Sequence, residues 1–235
     1  MRKAFECSIP GGPTVVIAEL TPSEVLTAMR GAGRGASAFA ARLECVRHAL
    51  RQVDGHDVRY LDVTGERLRA LVPRTRHQFA LSIAWGRIHE PNDETVERMH
   101  GTLSPEIGPD GERWTATLPD GRRVVLAEQS PETVAEALTR AQRTNKGEAL
   151  QFFAGLLDSV RISLVEVDGR TVSQAELAGK GWDQRFSVAE TFLLGAAWNE
   201  IHVSGGADLV GELKPVLGTP SPTPAGTGTN DSKTS

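Results

Sequence analysis

The chain states one pattern twice. Residues 39–58 read FAARLECVRHALRQVDGHDV, and residues 153–172 read FAGLLDSVRISLVEVDGRTV. Roughly half of these positions are identical, at a spacing of roughly 114 residues, far longer than the period of a solenoid repeat. Upstream, VVIAELTP (Val15 to Pro22) returns as VVLAEQSP (Val124 to Pro131), and Phe5-x-x-x-Ile9-Pro10 returns as Trp114-x-x-x-Leu118-Pro119. Downstream, AWGRIH (Ala84 to His89) returns as AWNEIH (Ala197 to His202). The expectation is a duplicated domain, with module copies over 1–91 and 111–205. That expectation filters every motif, because shared chemistry must use residues present in both copies.

Local chemistry predicts the same order of elements in each copy. Glu112 to Leu118 and Arg122 to Glu128 alternate around Pro119-Asp120-Gly121, which reads as a β-hairpin; Pro10-Gly11-Gly12-Pro13 is the turn in the first copy. Thr21-Pro22 and Ser130-Pro131 place a hydroxyl N-cap before a proline at the first helical position. These helices run to about Met29 and Arg140. A second helix starts near Ala36 and Glu148 and grades into apolar stretches ending at Val53-Asp54-Gly55 and Val167-Asp168-Gly169. A tight turn there lets Val58 and Val172 begin a short returning strand. The last unit is an amphipathic helix carrying Leu81, Trp85 and Ile88, matched by Leu194, Trp198 and Ile201. The fold class is therefore α+β, a tandem β-hairpin–helix–helix–short strand–helix module. Residues 92–110 read as a linker with one short helix, Glu94 to His100. Residues 206–235 read as a flexible tail, because the run from Pro215, rich in Pro, Gly, Ser and Thr, cannot offset its ordering entropy by burial.

Composition narrows the partners. A net charge of -4 leaves no basic footprint for nucleic acid. Cys7 and Cys45 become Ala116 and Ser159 in the second copy, which argues against a shared disulfide or Cys–metal site. No apolar run approaches the length of a membrane span, and the N-terminus has no signal-peptide core. The expectation is a cytoplasmic protein without cofactor, metal, nucleic-acid or membrane partner.

Few residues invite a chemical role. Asp54 and Asp168 each precede a glycine in a turn, where Asp is favoured for local backbone hydrogen bonds. His89 and His202 each follow a Trp by four residues at a helix C-terminus, where a protonated imidazole suits the dipole. His48 becomes Ile162, so a His–carboxylate pair built on it is not shared. No nucleophile elbow or metal-binding histidine pair occurs, so no catalytic residue is assigned. The expected partner-contact residues are Trp85, Trp198, Ile88, Ile201, Arg47 and Arg161. The alternative is a small anionic-ligand or nucleotide site on Gly33, Arg34 and Gly35, a loop whose backbone N–H groups could cradle phosphate in the first copy only.

Each copy resembles a small protein of phage tails and phage-like contractile injection systems. The likeness rests on Ala18-Glu19-Leu20-Thr21-Pro22-Ser23-Glu24 and, more loosely, Ala127-Glu128-Gln129-Ser130-Pro131-Glu132. It also rests on Leu43-x-x-Val46-Arg47-x-x-Leu50-x-x-Val53-Asp54-Gly55-x-x-Val58 and its partner from Leu157 to Val172. The likeness spans most of both copies but neither the linker nor the tail. It implies a tail-assembly chaperone or baseplate-associated protein that binds a tube, tape-measure or baseplate component. Such a protein acts in the cytoplasm or is built into the particle. Family members carry one copy, so two in one chain is a departure.

Overall fold

Alternating apolar residues build two antiparallel sheets. The structure, a computed structural model, describes residues 3–33, 36–59, 63–108 and 111–204. In the first half, β1 (Ala4–Ser8), β2 (Thr14–Ala18), β3 (Leu50–Val53) and β4 (His56–Asp57) form a sheet in that order. In the second, β5 (Ser104–Gly108), β6 (Gly111–Thr117), β7 (Arg123–Ala127), β8 (Leu164–Val167) and β9 (Arg170–Thr171) do the same. Matching strands keep matching registers, down to the irregularity between Val16 and Ile17 in β2 and between Val125 and Leu126 in β7. The architecture is α+β, with helices packed against both sheets.

Helix starts follow their caps. In α1 (Pro22–Gly31), Thr21 Oγ1 accepts the Glu24 N–H at 3.3 Å while the Glu24 carboxylate accepts the Thr21 N–H at 2.9 Å, a reciprocal capping box. Ser130 caps α6 (Pro131–Thr144) by accepting the Thr133 N–H at 3.3 Å. The next helices, α2 (Ala38–Ala49) and α7 (Glu148–Ser163), pass directly into β3 and β8, as Leu50 and Leu164 turn to extended backbone. This continuous helix-to-strand run ties each helix to the middle of its sheet. In the first half, α3 (Gly65–Leu71) follows, then α4 (Thr75–His89) and α5 (Asp93–His100). In the second half, two single-turn helices, α8 (Gln174–Leu177) and α9 (Lys180–Asp183), precede α10 (Val188–Asn199) and a π-helical turn over Glu200–Ser204.

The structure corrects three expectations. Residues 92–110 are more than a linker: β5 pairs along the outer edge of β6 and makes the second sheet five-stranded. The returning strands are β4 and β9, which end before Val58 and Val172; those valines are buried beyond them. The short helices α3, α8 and α9 were not foreseen, and Trp182 of α9 is fully buried. The proposed flexible tail over 206–235 lies outside the described residues.

Two apolar cores form, and each takes residues from both halves, the first more extensively. Val15, Ile17, Leu50, Leu81 and Trp85 of the first half pack in a cluster that also takes in Leu150, Phe153 and Val188 of the second. The other cluster centres on Val124, Leu126, Leu157, Trp182, Leu194 and Trp198. Helix α1 packs against α7, α9 and α10, and the Asp183 carboxylate accepts the Ser23 N–H at 3.1 Å, placing negative charge at the α1 N-terminus.

Candidate functional site

Asp54 and Asp168 hold the strand turns. Both sit in the left-handed region at φ 49°, which an aspartate tolerates and most side chains avoid. Asp54 Oδ1 accepts the Thr14 N–H at 2.9 Å, and its own N–H donates to the Thr14 carbonyl at 2.8 Å. Asp168 makes the same pair with Arg123, at 2.9 and 2.8 Å. Each carboxylate thus fastens the end of β3 or β8 to the neighbouring strand.

His89 and His202 are fasteners of a second kind. His89 Nε2 accepts the backbone N–H of Leu20 at 2.9 Å, and its Nδ1 lies 2.9 Å from the Trp85 carbonyl. A backbone N–H can only donate and a carbonyl can only accept. The ring must therefore be the neutral Nδ1–H tautomer. Burial pushes the His89 pKa down to about 4, against a smaller opposing pull from the Trp85 carbonyl. His202 repeats the geometry with the Gln129 N–H at 3.1 Å and the Trp198 carbonyl at 2.9 Å. Both imidazoles stack on their Trp at 4.6 Å between centroids. The favourable dipole interaction expected of a protonated histidine is thus replaced by a neutral bridge that clips the last helix to the segment ahead of α1 or α6.

The six expected partner-contact residues are largely committed inside the protein. Trp85 is 0% exposed and Trp198 8%. Each lies on the apolar stripe of its helix; the core takes the whole Trp85 ring and leaves only an edge of Trp198 open at the second cleft. Ile88 and Ile201 are half-buried and pack against the two cores. Arg47 holds the Glu44 carboxylate and donates to the Val63 carbonyl at 2.5 Å. Arg161 lies 3.9 Å from the Asp158 carboxylate, and its guanidinium sits 5.5 Å from the centroid of the Trp182 ring. Cys45 is fully buried, and burial, with the charges of Glu44 and Glu90, pushes its thiol up to about 12. Of the alternative anion-binding loop, Gly33 has φ +88 with open space around its Cα, while Arg34 and Gly35 lie outside the described residues.

Open apolar surface lies instead around Phe152. Its side chain is 64% exposed and separates two clefts. The first, of about 700 Å³, runs between the halves, with Met29, Ala38, Arg42 and Trp85 on one side and Phe152, Phe153 and Phe192 on the other. An Arg42–Glu90 ion pair at 2.6 Å stands at its rim. The second, of about 580 Å³, is lined only by the second half, including Leu138, Gly155, Leu156, Ser159, Gly195 and Trp198. The sequence carried one sign of this surface. Phe152 and Phe153 are adjacent on a helix, about 100° apart, so both cannot face one core. Phe153 is buried and Phe152 is not.

Among the described residues, no helix is long and apolar enough to cross a membrane, and no three His, Cys, Asp or Glu side chains are grouped to hold a metal ion. Compared with protein families, curated proteins and solved structures, the chain matches none.

Proposed function

We propose that the protein is a non-enzymatic assembly factor, a chaperone or structural adaptor, of a phage tail or related contractile apparatus. The observation that supports a binding role most directly is the cleft between the halves. It has an apolar floor (Met29, Ala149, Phe192), an exposed aromatic wall (Phe152) and a charged rim (Arg42, Glu90). An amphipathic helix suits such a groove, laying its apolar stripe on the floor and its polar residues against the rim. A tape-measure segment is a partner of that chemistry; tube and baseplate components are the other tail proteins the sequence resemblance suggests.

The test is affinity capture of the tagged full chain from its native cells, with recovered proteins identified by mass spectrometry. The expected result is a tape-measure, tube or baseplate protein with the wild type, lost with Ala38→Trp. Ala38 is exposed at the start of α2 and lines the cleft, so the indole fills the groove without entering the core. Capture of a tail component that Ala38→Trp does not weaken rejects the cleft; capture of none rejects the assembly reading.

A further inference from the structure

The two clefts are related position by position. Aligning the halves through their shared sequence places Leu138 on Met29, Phe152 on Ala38, Leu156 on Arg42 and Trp198 on Trp85. Those are the walls of the second and first clefts respectively. In the first half this surface is partly covered: Leu150 and Phe153 of α7 join its buried cluster and leave the cleft of about 700 Å³ beside them. In the second half nothing from the first half lines the equivalent cleft, which stays open.

The covering element is also duplicated. Phe153 and Phe192, 5.3 Å apart between centroids, form the aromatic pair that the second half presents to the first. Their sequence counterparts are Phe39 and Phe79, which stack at 4.1 Å. Yet Phe79 is 49% exposed, and Ile83, one turn further along α4, is 54% exposed. Each chain thus carries a cleft in the second half that no residue of the first half lines, and an aromatic pair in the first half whose Phe79 is uncovered.

We propose that a second copy of this chain fills the cleft: Phe39 and Phe79 of one molecule dock against Leu138, Phe152 and Trp198 of the next. The contact within the chain serves as the pattern for the contact between chains. Rim charges agree with this occupant. Arg76 and Arg87 flank Phe79 and Ile83 on the exposed face of α4, and Glu148 stands exposed at the cleft. Because the two docking surfaces differ, the contact is head-to-tail. Repeating it closes a ring or extends a filament, according to the rotation per step. This inference does not depend on the tail-assembly reading.

Sedimentation velocity of the full chain over a concentration series tests it. The wild type is expected to sediment faster as concentration rises. Phe79→Glu and Leu138→Glu should each weaken self-association by at least roughly tenfold, the loss of a central apolar contact. Mixing the two variants is the decisive arm. Phe79→Glu keeps an intact cleft and Leu138→Glu keeps an intact aromatic pair, so the mixture should recover a one-to-one dimer that cannot extend. A wild type that stays monomeric at every concentration overturns the proposal and leaves the cleft to a different protein. Self-association that neither variant weakens, or a mixture that recovers no dimer, overturns the head-to-tail contact. Should a charge unfold its helix, Phe79→Ser and Leu138→Ser repeat the design with smaller perturbation.

Discussion

Trp198 donates its indole N–H to Ser163 at 3.0 Å; Trp85, at the matching position of the first half, has Ala49 where the second half has Ser163, and no described group accepts its N–H. The sheets differ in the same spirit. β6 is covered by β5, while its counterpart β1 is an edge. The aromatic pair reverses the pattern: Phe153 is fully buried and Phe192 partly so, while Phe79 of the first-half pair is 49% exposed. The features that recur unchanged are ones that close the backbone: the strand turns and the histidine clips. Apart from the buried Trp198–Ser163 bond, the features that diverge lie where one half meets the other or meets solvent. Two halves can therefore share a local design while their surfaces take separate tasks.

Removing the central ring separates the halves most strongly. Trp85→Ala and Trp198→Ala should each cost about 3–5 kcal/mol in chemical denaturation, the usual range for a buried aromatic. Trp85 belongs to the core in which α2 and α7 meet, and Trp198 to a core built mainly by the second half, with Met99 of α5 and Leu26 of α1 joining it but no residue of α2. Trp85→Ala should therefore loosen the contact between halves, seen as faster hydrogen exchange in α7, whereas Trp198→Ala should not loosen α2. Equal exchange in both helices would refute the shared core.

The next effect is a pH limb. The unfolded imidazole titrates near the usual pKa of about 6.5, and the folded His89 at about 4. Above pH 6.5 both states are neutral and the clip contributes in full. Between those values the unfolded chain binds a proton that the folded chain refuses, so stability falls with falling pH until about 4. The loss is about 3 kcal/mol by linkage. His89→Gln should flatten this limb in urea melts at stepped pH; a limb that persists unchanged assigns it to other groups.

Ser163→Ala should cost about 1–3 kcal/mol, because it leaves the Trp198 N–H buried without an acceptor. Ala49→Ser offers Trp85 the acceptor it lacks and should recover about 1 kcal/mol if the hydroxyl settles as Ser163 does. A destabilising Ala49→Ser would show that Ala49, fully buried, has no room for the added oxygen.

These elements differ in how far residues reveal them. Hairpins, caps and Asp-Gly turns are written in neighbouring residues, and Thr21, Ser130, Asp54 and Asp168 were legible as such. β5 was not: Ser104-Pro105-Glu106-Ile107-Gly108 lacks a buried alternate row, because an edge strand facing solvent on both sides needs none. Single-turn helices such as α8 and α9 are too short to show a period. The Trp–His spacing was visible, but Leu20 and Gln129, far away in sequence, decide the tautomer. The clefts were least legible of all. The first arises from the packing of α7 and α10 against the first half and the second from the packing of α6, α7 and α10 on one another, and nothing near Phe152 in sequence specifies that packing.

The smallest effect is the sharpest test of what the halves hold in common. Asp54→Gly and Asp168→Gly each relax the φ 49° strain and each lose a carboxylate that accepts a backbone N–H at 2.9 Å. The gain and the loss are both about 1 kcal/mol, so the net change should be small in either half. The two values should also agree within about 0.5 kcal/mol, and the double variant should equal their sum, since the sites lie in separate sheets and share no partner. A marked difference would mean that one turn carries load the other does not. Arg123 marks where to look: besides taking the Asp168 carboxylate on its N–H, it pairs through its side chain with Glu106 of β5 at 2.8 Å. The first half has Thr14 at that place and, among the described residues, no added strand. A larger cost at Asp168 would then trace to β5, and removing the Glu106 carboxylate with Glu106→Gln should bring the two turns back into agreement.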